Sequence, residues 1–173
     1  RGNEEKSKGG SWLIFADSSG VGHALQALLM ERGETCVMVS PGQEYSLVRP
    51  GHYQLNPACP EDFRQLLEEV IVRNGQPLCR GVVHLWSFDI APPEETTLTS
   101  LAAAQELSCG SVLHLVQALA QIDWSDVPRL WLATRGAQAV GANIDTISIA
   151  QSPLWGFGRV IIHEHPEFRC TNV

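Results

Sequence analysis

The sequence predicts an α/β protein with a doubly wound, mostly parallel sheet. Two observations predict it. Short apolar runs alternate along the chain with stretches of helical periodicity, the pattern left by parallel strands joined through crossover helices. The first run, Trp12-Leu13-Ile14-Phe15-Ala16, leads into a glycine turn, Gly20-Val21-Gly22, and then into Leu25, Leu28 and Leu29 at helical spacing.

That opening has the frame of a Rossmann first βα unit, in which helix N-terminal amides cradle a pyrophosphate and bare glycine backbone lets phosphates come close. The loop departs from the nucleotide-binding form. The short-chain reductase fingerprint is a glycine, three residues, then G-x-G; here Ala16 stands where the first glycine belongs, and Asp17 follows it. A carboxylate there faces phosphate charge in a low-dielectric turn, which disfavours binding unless it points away. The second strand, Thr35 to Val39, should end in an acid for a ribose 2′-hydroxyl or an arginine for a 2′-phosphate; it ends in Ser40-Pro41-Gly42. The expectation is a degenerate or truncated Rossmann-like unit, with no cofactor in this segment and no cofactor-binding residue assigned.

The remaining elements follow in order. Arg1 to Gly10 is charged and glycine-ended and reads as a linker, so the domain is expected over residues 11–173. The first helix runs from about Ser19 to Arg32 and stops at Gly33. After the strand at Thr35, Pro41-Gly42 and Arg49-Pro50-Gly51 punctuate a loop, and His52 to Leu55 alternates as a short strand. Pro60-Glu61-Asp62 opens a helix with Phe63, Leu66, Leu67, Val70 and Ile71 on one face, ending near Asn74-Gly75. Cys79 to Trp86 is a buried strand, and Asp89 to Thr97 an acidic, proline-bearing connection. Leu98 to Ile122 forms a long helix with a stripe of Leu101, Gln105, Ser108, Val112, Leu115 and Leu119. Its interior Gly110 costs about 1 kcal/mol. Arg129 to Thr134 is the next strand, ended by Gly136, and Ala137 to Asp145 a polar loop. Ile147 to His163 is helical with a break at Ser152-Pro153; Pro166 stops it before an extended Phe168 to Val173. Right-handed crossovers would join these strands.

Composition narrows the function. The chain of 173 residues suffices for one domain with a proper core. A net charge of -7 argues against nucleic acid as a partner. No apolar run approaches the roughly 20 residues that span a bilayer, and RGNEEKSKGG has no signal-peptide features. No membrane partner and a cytoplasmic location are therefore expected. Five cysteines, Cys36, Cys59, Cys79, Cys109 and Cys170, are scattered without a C-x-x-C pair and read as reduced, structural thiols.

Reductive chemistry of the short-chain kind needs a tyrosine with a lysine nearby to lower its pKa. The only tyrosines are Tyr45 and Tyr53, the residues four further on are Arg49 and Pro57, and the only lysines are Lys6 and Lys8, ahead of the first strand. Ser18 and Ser19 lack the preceding glycine of a nucleophile elbow. Cys109-Gly110-Ser111 lies mid-helix and reads as a packed thiol. In His163-Glu164-His165 the alternate histidines point apart on a helix end, with no third ligand spaced to join them. His84 and His114 read as core histidines and His23 as solvent-facing or capping. Trp12, Trp86, Trp131 and Trp155 read as core, and Trp124 as closing a loop at a helix end. No catalytic and no metal-ligating residue is assigned.

With these residues placed, Trp12 to Gly22, RGVVHLWSFD (Arg80 to Asp89), SVLHLVQAL (Ser111 to Leu119), LWLATRG (Leu130 to Gly136) and QSPLWGFGRVIIHEHP (Gln151 to Pro166) resemble the N-terminal structural subdomain of ketoreductases in modular type I polyketide synthases. The resemblance implies a ketoreductase made of two Rossmann-like halves, the first without a cofactor site and bracing the second. The second half would bind NADPH and reduce a β-keto group carried on the phosphopantetheine of an acyl carrier protein. Its TGG-type loop and catalytic tyrosine are absent here. The implied partners are that catalytic subdomain of the same polypeptide, the neighbouring synthase domains and the carrier protein. Three other readings stay open on the sequence: half of an inactive pseudo-ketoreductase beside a methyltransferase, an assembly module, and a free-standing NADPH-dependent reductase.

Overall fold

In the computed structural model, residues 9–73, 78–139 and 147–173 are described. The strands are β1 (Ser11–Phe15), β2 (Thr35–Pro41), β3 (Ser46–Arg49), β4 (His52–Leu55), β5 (Cys79–His84), β6 (Arg129–Leu132) and β7 (Thr171–Asn172). They form one seven-stranded sheet in the order β3-β4-β2-β1-β5-β6-β7. Every pair is parallel except β3 with β4. Leaving β3 aside, the parallel strands follow the 3-2-1-4-5-6 order of a dinucleotide-binding fold, so the doubly wound sheet is as the sequence predicts.

The helices are α1 (Val21–Glu31), α2 (Pro60–Leu67), α3 (Leu98–Gln105), α4 (Ser111–Leu119) and α5 (Ser152–Glu164). Alternation along β1 assigns Leu13 and Phe15 to one face and Ile14 to the other. On the first face, Phe63 and Leu66 of α2, Val112, Leu115 and Leu119 of α4, and Leu154 and Ile161 of α5 pack with Leu13, Phe15, Val82, Leu130 and Leu132. Each such side chain contributes about 1.5–3 kcal/mol by leaving water. The second cluster is smaller: Leu29 of α1 packs with Ile14, Met38, Val83, Leu85 and Ala133. Across it, Trp12 of β1 and Trp131 of β6 meet over Gly81 of β5, their rings 5.3 Å apart. A Cβ on Gly81 would overlap both indoles, so a side chain is excluded there.

Several boundaries differ from the sequence reading, each for a local reason. The loop after Pro41 contains β3, a short edge strand whose Leu47 and Val48 stay exposed and so leave no buried alternation to read. Pro50-Gly51 turns it into β4, with Gly51 at φ +74°. Strand β5 stops at His84 because Leu85 bends into a 3-10 turn, Trp86–Asp89. The long helix is two helices, not one. Between α3 and α4 lies a π-helical turn, Glu106–Gly110; the hydroxyls of Ser108 within it and of Ser111 just after it donate back to the carbonyls of Ala104 and Leu107 (both 2.6 Å). The second helix ends at Leu119, where the Trp124 indole N–H donates to the Leu119 carbonyl (2.8 Å), the closing role read for it. Helix α5 starts at Ser152 and continues unbroken, because Pro153 sits in its first turn, where a missing N–H costs nothing. The expected helix end at Asn74-Gly75 and most of the polar loop up to Asp145 lie outside the described residues.

Candidate functional site

The turn after β1 is the place where a doubly wound fold would hold a nucleotide. Ala16 extends the ladder by donating its N–H to the Val39 carbonyl (2.9 Å). Gly20, at φ +100°, caps α1 in a left-handed conformation that only glycine adopts cheaply. Gly22 then lets α1 press against the strand end. A Cβ on it would lie 2.8 Å from the Ala16 Cβ and 3.1 Å from the Ala16 Cα, which the ladder holds in place. Gly22→Ala is therefore expected to lower the free energy of unfolding by about 2 kcal/mol in urea titrations; an unchanged midpoint would mean that α1 can slide.

The Asp17 carboxylate fills the cradle. It is 3% exposed and points into the turn. Oδ1 accepts the Gly22 N–H (2.7 Å), and Oδ2 accepts the Val21 N–H (3.2 Å) and the Ser19 hydroxyl. Burial alone would raise its pKa, but the bonds from Ser19, Gly22 and Val21 together outweigh burial and hold it below the ordinary carboxylate range. The amides at the start of α1, which in a working site would face phosphate, thus already hold an ionised carboxylate of the same chain. A second carboxylate stands at the rim: Oδ1 of Asp89 accepts both the N–H (2.8 Å) and the hydroxyl (2.7 Å) of Ser18. The sequence reading missed Asp89, which meets its partner from 71 residues away with no local motif to mark it.

The ribose side is no better equipped. The Ser40 hydroxyl is bonded to His52 Nε2 (2.7 Å), and Gln54 donates to the Pro41 carbonyl (3.2 Å). Beyond these strand ends lies a cavity of about 450 Å³, and among the described residues Glu106 is the charged one lining it. Neither an acid nor an arginine ends β2, as the sequence indicates.

The other candidates are dispersed. Tyr45 and Tyr53 both donate to Glu69 (2.8 and 3.1 Å); burial and then the Glu69 carboxylate raise both pKa values, which holds their protons more tightly. His84 lies fully buried between the rings of Phe15 and Trp86. The Ser111 hydroxyl donates to the Leu107 carbonyl, so it accepts from His84 Nε2–H (3.0 Å); His84 Nδ1 has no partner. Burial pushes the His84 pKa down to about 3, so the ring is neutral. Burial also raises the Cys109 thiol, and lifts Cys79 and Cys170 to about 11. His23 is exposed, and His114 packs half-buried on Phe63. His165 Nδ1 pairs with Glu167 (3.0 Å), and among the described residues no three ligand-type side chains gather.

The second sheet face is left partly open. Val21 and Leu25 of α1 face Leu85, Phe88, Trp131 and Val173 across a shallow apolar groove of about 360 Å³. Among the described residues no helix is long and apolar enough to cross a membrane.

Comparison with known proteins fits this geometry. A family model described as beta-ketoacyl synthase-like, N-terminal, matches residues 10–173. The polyketide synthase GfsB of Streptomyces halstedii is 30% identical over 161 residues, which is 91% of this chain and 3% of that synthase. The ketoreductase-containing structure of a keto acid-selecting NRPS module superposes with a TM-score of 0.80 at 21% identity, covering 99% of this chain and 14% of that one. An N-terminal ketoreductase from the macrolactin assembly line gives a TM-score of 0.69 at 16% identity, over 96% of this chain and 32% of its own. At these identities the structures establish the fold. The resemblance to polyketide synthase ketoreductases is borne out, and this chain spans a small part of each of these proteins.

Proposed function

Because this chain belongs to the beta-ketoacyl synthase-like, N-terminal family and folds like assembly-line ketoreductases, we propose that it is the non-catalytic half of a polyketide synthase ketoreductase. In this reading residues 11–173 brace a catalytic subdomain, and residues 1–10 serve as a linker. NADPH is held by that partner, and the β-keto substrate arrives on the phosphopantetheine of a carrier protein, in the cytoplasm.

The observation that carries the reading is the Asp17 carboxylate on the amides of Val21 and Gly22. A fold that keeps the nucleotide cradle and fills it with its own side chain retains the shape and gives up the ligand. Glu69 ties up both tyrosines, which argues against a free-standing reductase. The apolar groove beside α1 supplies a surface for the partner, since an exposed apolar patch rimmed by polar residues marks a contact site.

The test is reduction of a β-ketothioester by the catalytic half with and without this chain. Activity should fall by about tenfold or more without it, in line with misplacement of a supported active site. Val21→Glu, at a groove position 42% exposed, should fail to restore activity while remaining folded. Equal rates with and without the chain would sink the proposal.

A further inference from the structure

A cavity of about 460 Å³ lies beyond the carboxyl ends of β5 and β6, the edge where open α/β sheets take ligands. Phe88, Ile90 and Pro92 give it an apolar wall, and Arg135, Ser148 and Gln151 stand on the other side. The polar side is braced. The Arg135 N–H donates to Gln151 Oε1 (2.8 Å), and the Ser148 N–H donates to the Gly136 carbonyl (2.8 Å). Farther along, the Ser152 hydroxyl donates to the Ala137 carbonyl (3.0 Å). Strand end and helix start are thereby fixed to each other.

Two groups in this cavity have unused bonding capacity. The guanidinium of Arg135 lies over the Phe88 ring, 5.1 Å from its centroid, and makes no ion pair among the described residues. Stacking on an aromatic face leaves the in-plane N–H donors of a guanidinium available to a carboxylate or phosphate. The Ser148 side chain is 4% exposed, and among the described residues its hydroxyl has no hydrogen-bond partner. A buried hydroxyl without a partner is uncommon and calls for an explanation. Among the described residues no acidic side chain lines the cavity.

We propose that this cavity binds a small oxyanion carried on an apolar stem, a carboxylate or a phosphate monoester. Arg135 holds the charge, the Ser148 hydroxyl donates to an oxyanion oxygen, and Phe88, Ile90 and Pro92 cover the stem. The site is separate from the Asp17 turn and shares the Phe88 ring with the apolar groove.

The test is an NMR titration of the chain with hexanoate, hexyl phosphate and 1-hexanol, followed at the amides of Arg135, Gly136 and Ser148. At least one of the two anions should shift these signals saturably, with a Kd in the millimolar range or tighter. Whichever anion binds more tightly identifies the natural headgroup. Hexanol, with the same stem and no charge, should bind about tenfold more weakly or worse. Arg135→Gln, at an exposed position, should weaken the anion by about fivefold or more. Ser148→Ala should weaken it by about threefold, with no loss of thermal stability, because no existing bond is removed. Absence of saturation by either anion, equal binding of hexanol, or affinity indifferent to Arg135→Gln would overturn the proposal.

Discussion

Replacing His84 with leucine flattens the dependence of stability on pH between about 6.5 and 3. In the folded chain the buried ring resists protonation down to about 3, against its usual 6.5. The unfolded chain takes up the proton near the usual value. Stability is therefore complete above that value and falls as the pH drops, because the unfolded state binds more protons. The loss approaches about 1.4 kcal/mol per pH unit and totals about 4 kcal/mol near pH 3, a large part of the 5–15 kcal/mol that holds a typical domain. Leucine fits the same apolar surroundings of Phe15 and Trp86 and leaves no orphan, since the Ser111 hydroxyl still has the carbonyls of Leu107 and Ser108. Urea midpoints measured from pH 7 to 4 should fall steeply for the natural chain and much less for His84→Leu. Parallel curves would mean that His84 is not the group responsible.

Asp17→Ala should lower the free energy of unfolding by about 3 kcal/mol at neutral pH, measured by urea denaturation. The substitution strips the Val21 and Gly22 amides of their acceptor at a buried helix start, and removes the partner of the Ser19 hydroxyl. A lost cap costs about 0.5–2 kcal/mol, and an unsatisfied buried donor about 1–3 kcal/mol. Asp17→Asn, which keeps an acceptor and loses the charge, should retain roughly half of the effect. The Asp17 pKa is lowered on folding, so its contribution is present above its usual value of 3.8 and is lost as the pH falls through the folded value below that. This window lies below most of the His84 window, so the two acid effects are separable. No change on Asp17→Ala would mean that water serves the amides equally well.

The parts of the fold written in local patterns were legible. Trp12 to Gly22 announced a strand, a turn and a helix, and the spacing of Phe63, Leu66 and Leu67 gave the buried face of α2, because periodic burial leaves a periodic sequence. Elements decided by hydrogen bonds were not legible. The turn between α3 and α4 depends on two serine hydroxyls bonding backward, and serine at those positions also reads as an ordinary helix residue. Strand β3 is stabilised by its pairing to β4, since its own side chains bury little. At the candidate site, Ala16 and Asp17 stood out as departures from the fingerprint, without showing that the carboxylate points inward onto the amides of α1. The cavity beside Arg135 left no trace, since its walls are brought together by the pairing of β5 with β6 and by the hydrogen bonds that tie Ser148 and Gln151 to the β6 end.

Gly81 has an optical consequence. By leaving room for Trp12 and Trp131 to approach, at 5.3 Å and an angle of 33°, it places two coupled indoles in the lining of the open groove. Indole emission moves to shorter wavelength when the ring loses contact with water. Any body that settles on this face must dry both rings at once, so the chain carries an intrinsic fluorophore for its own docking and needs no added label.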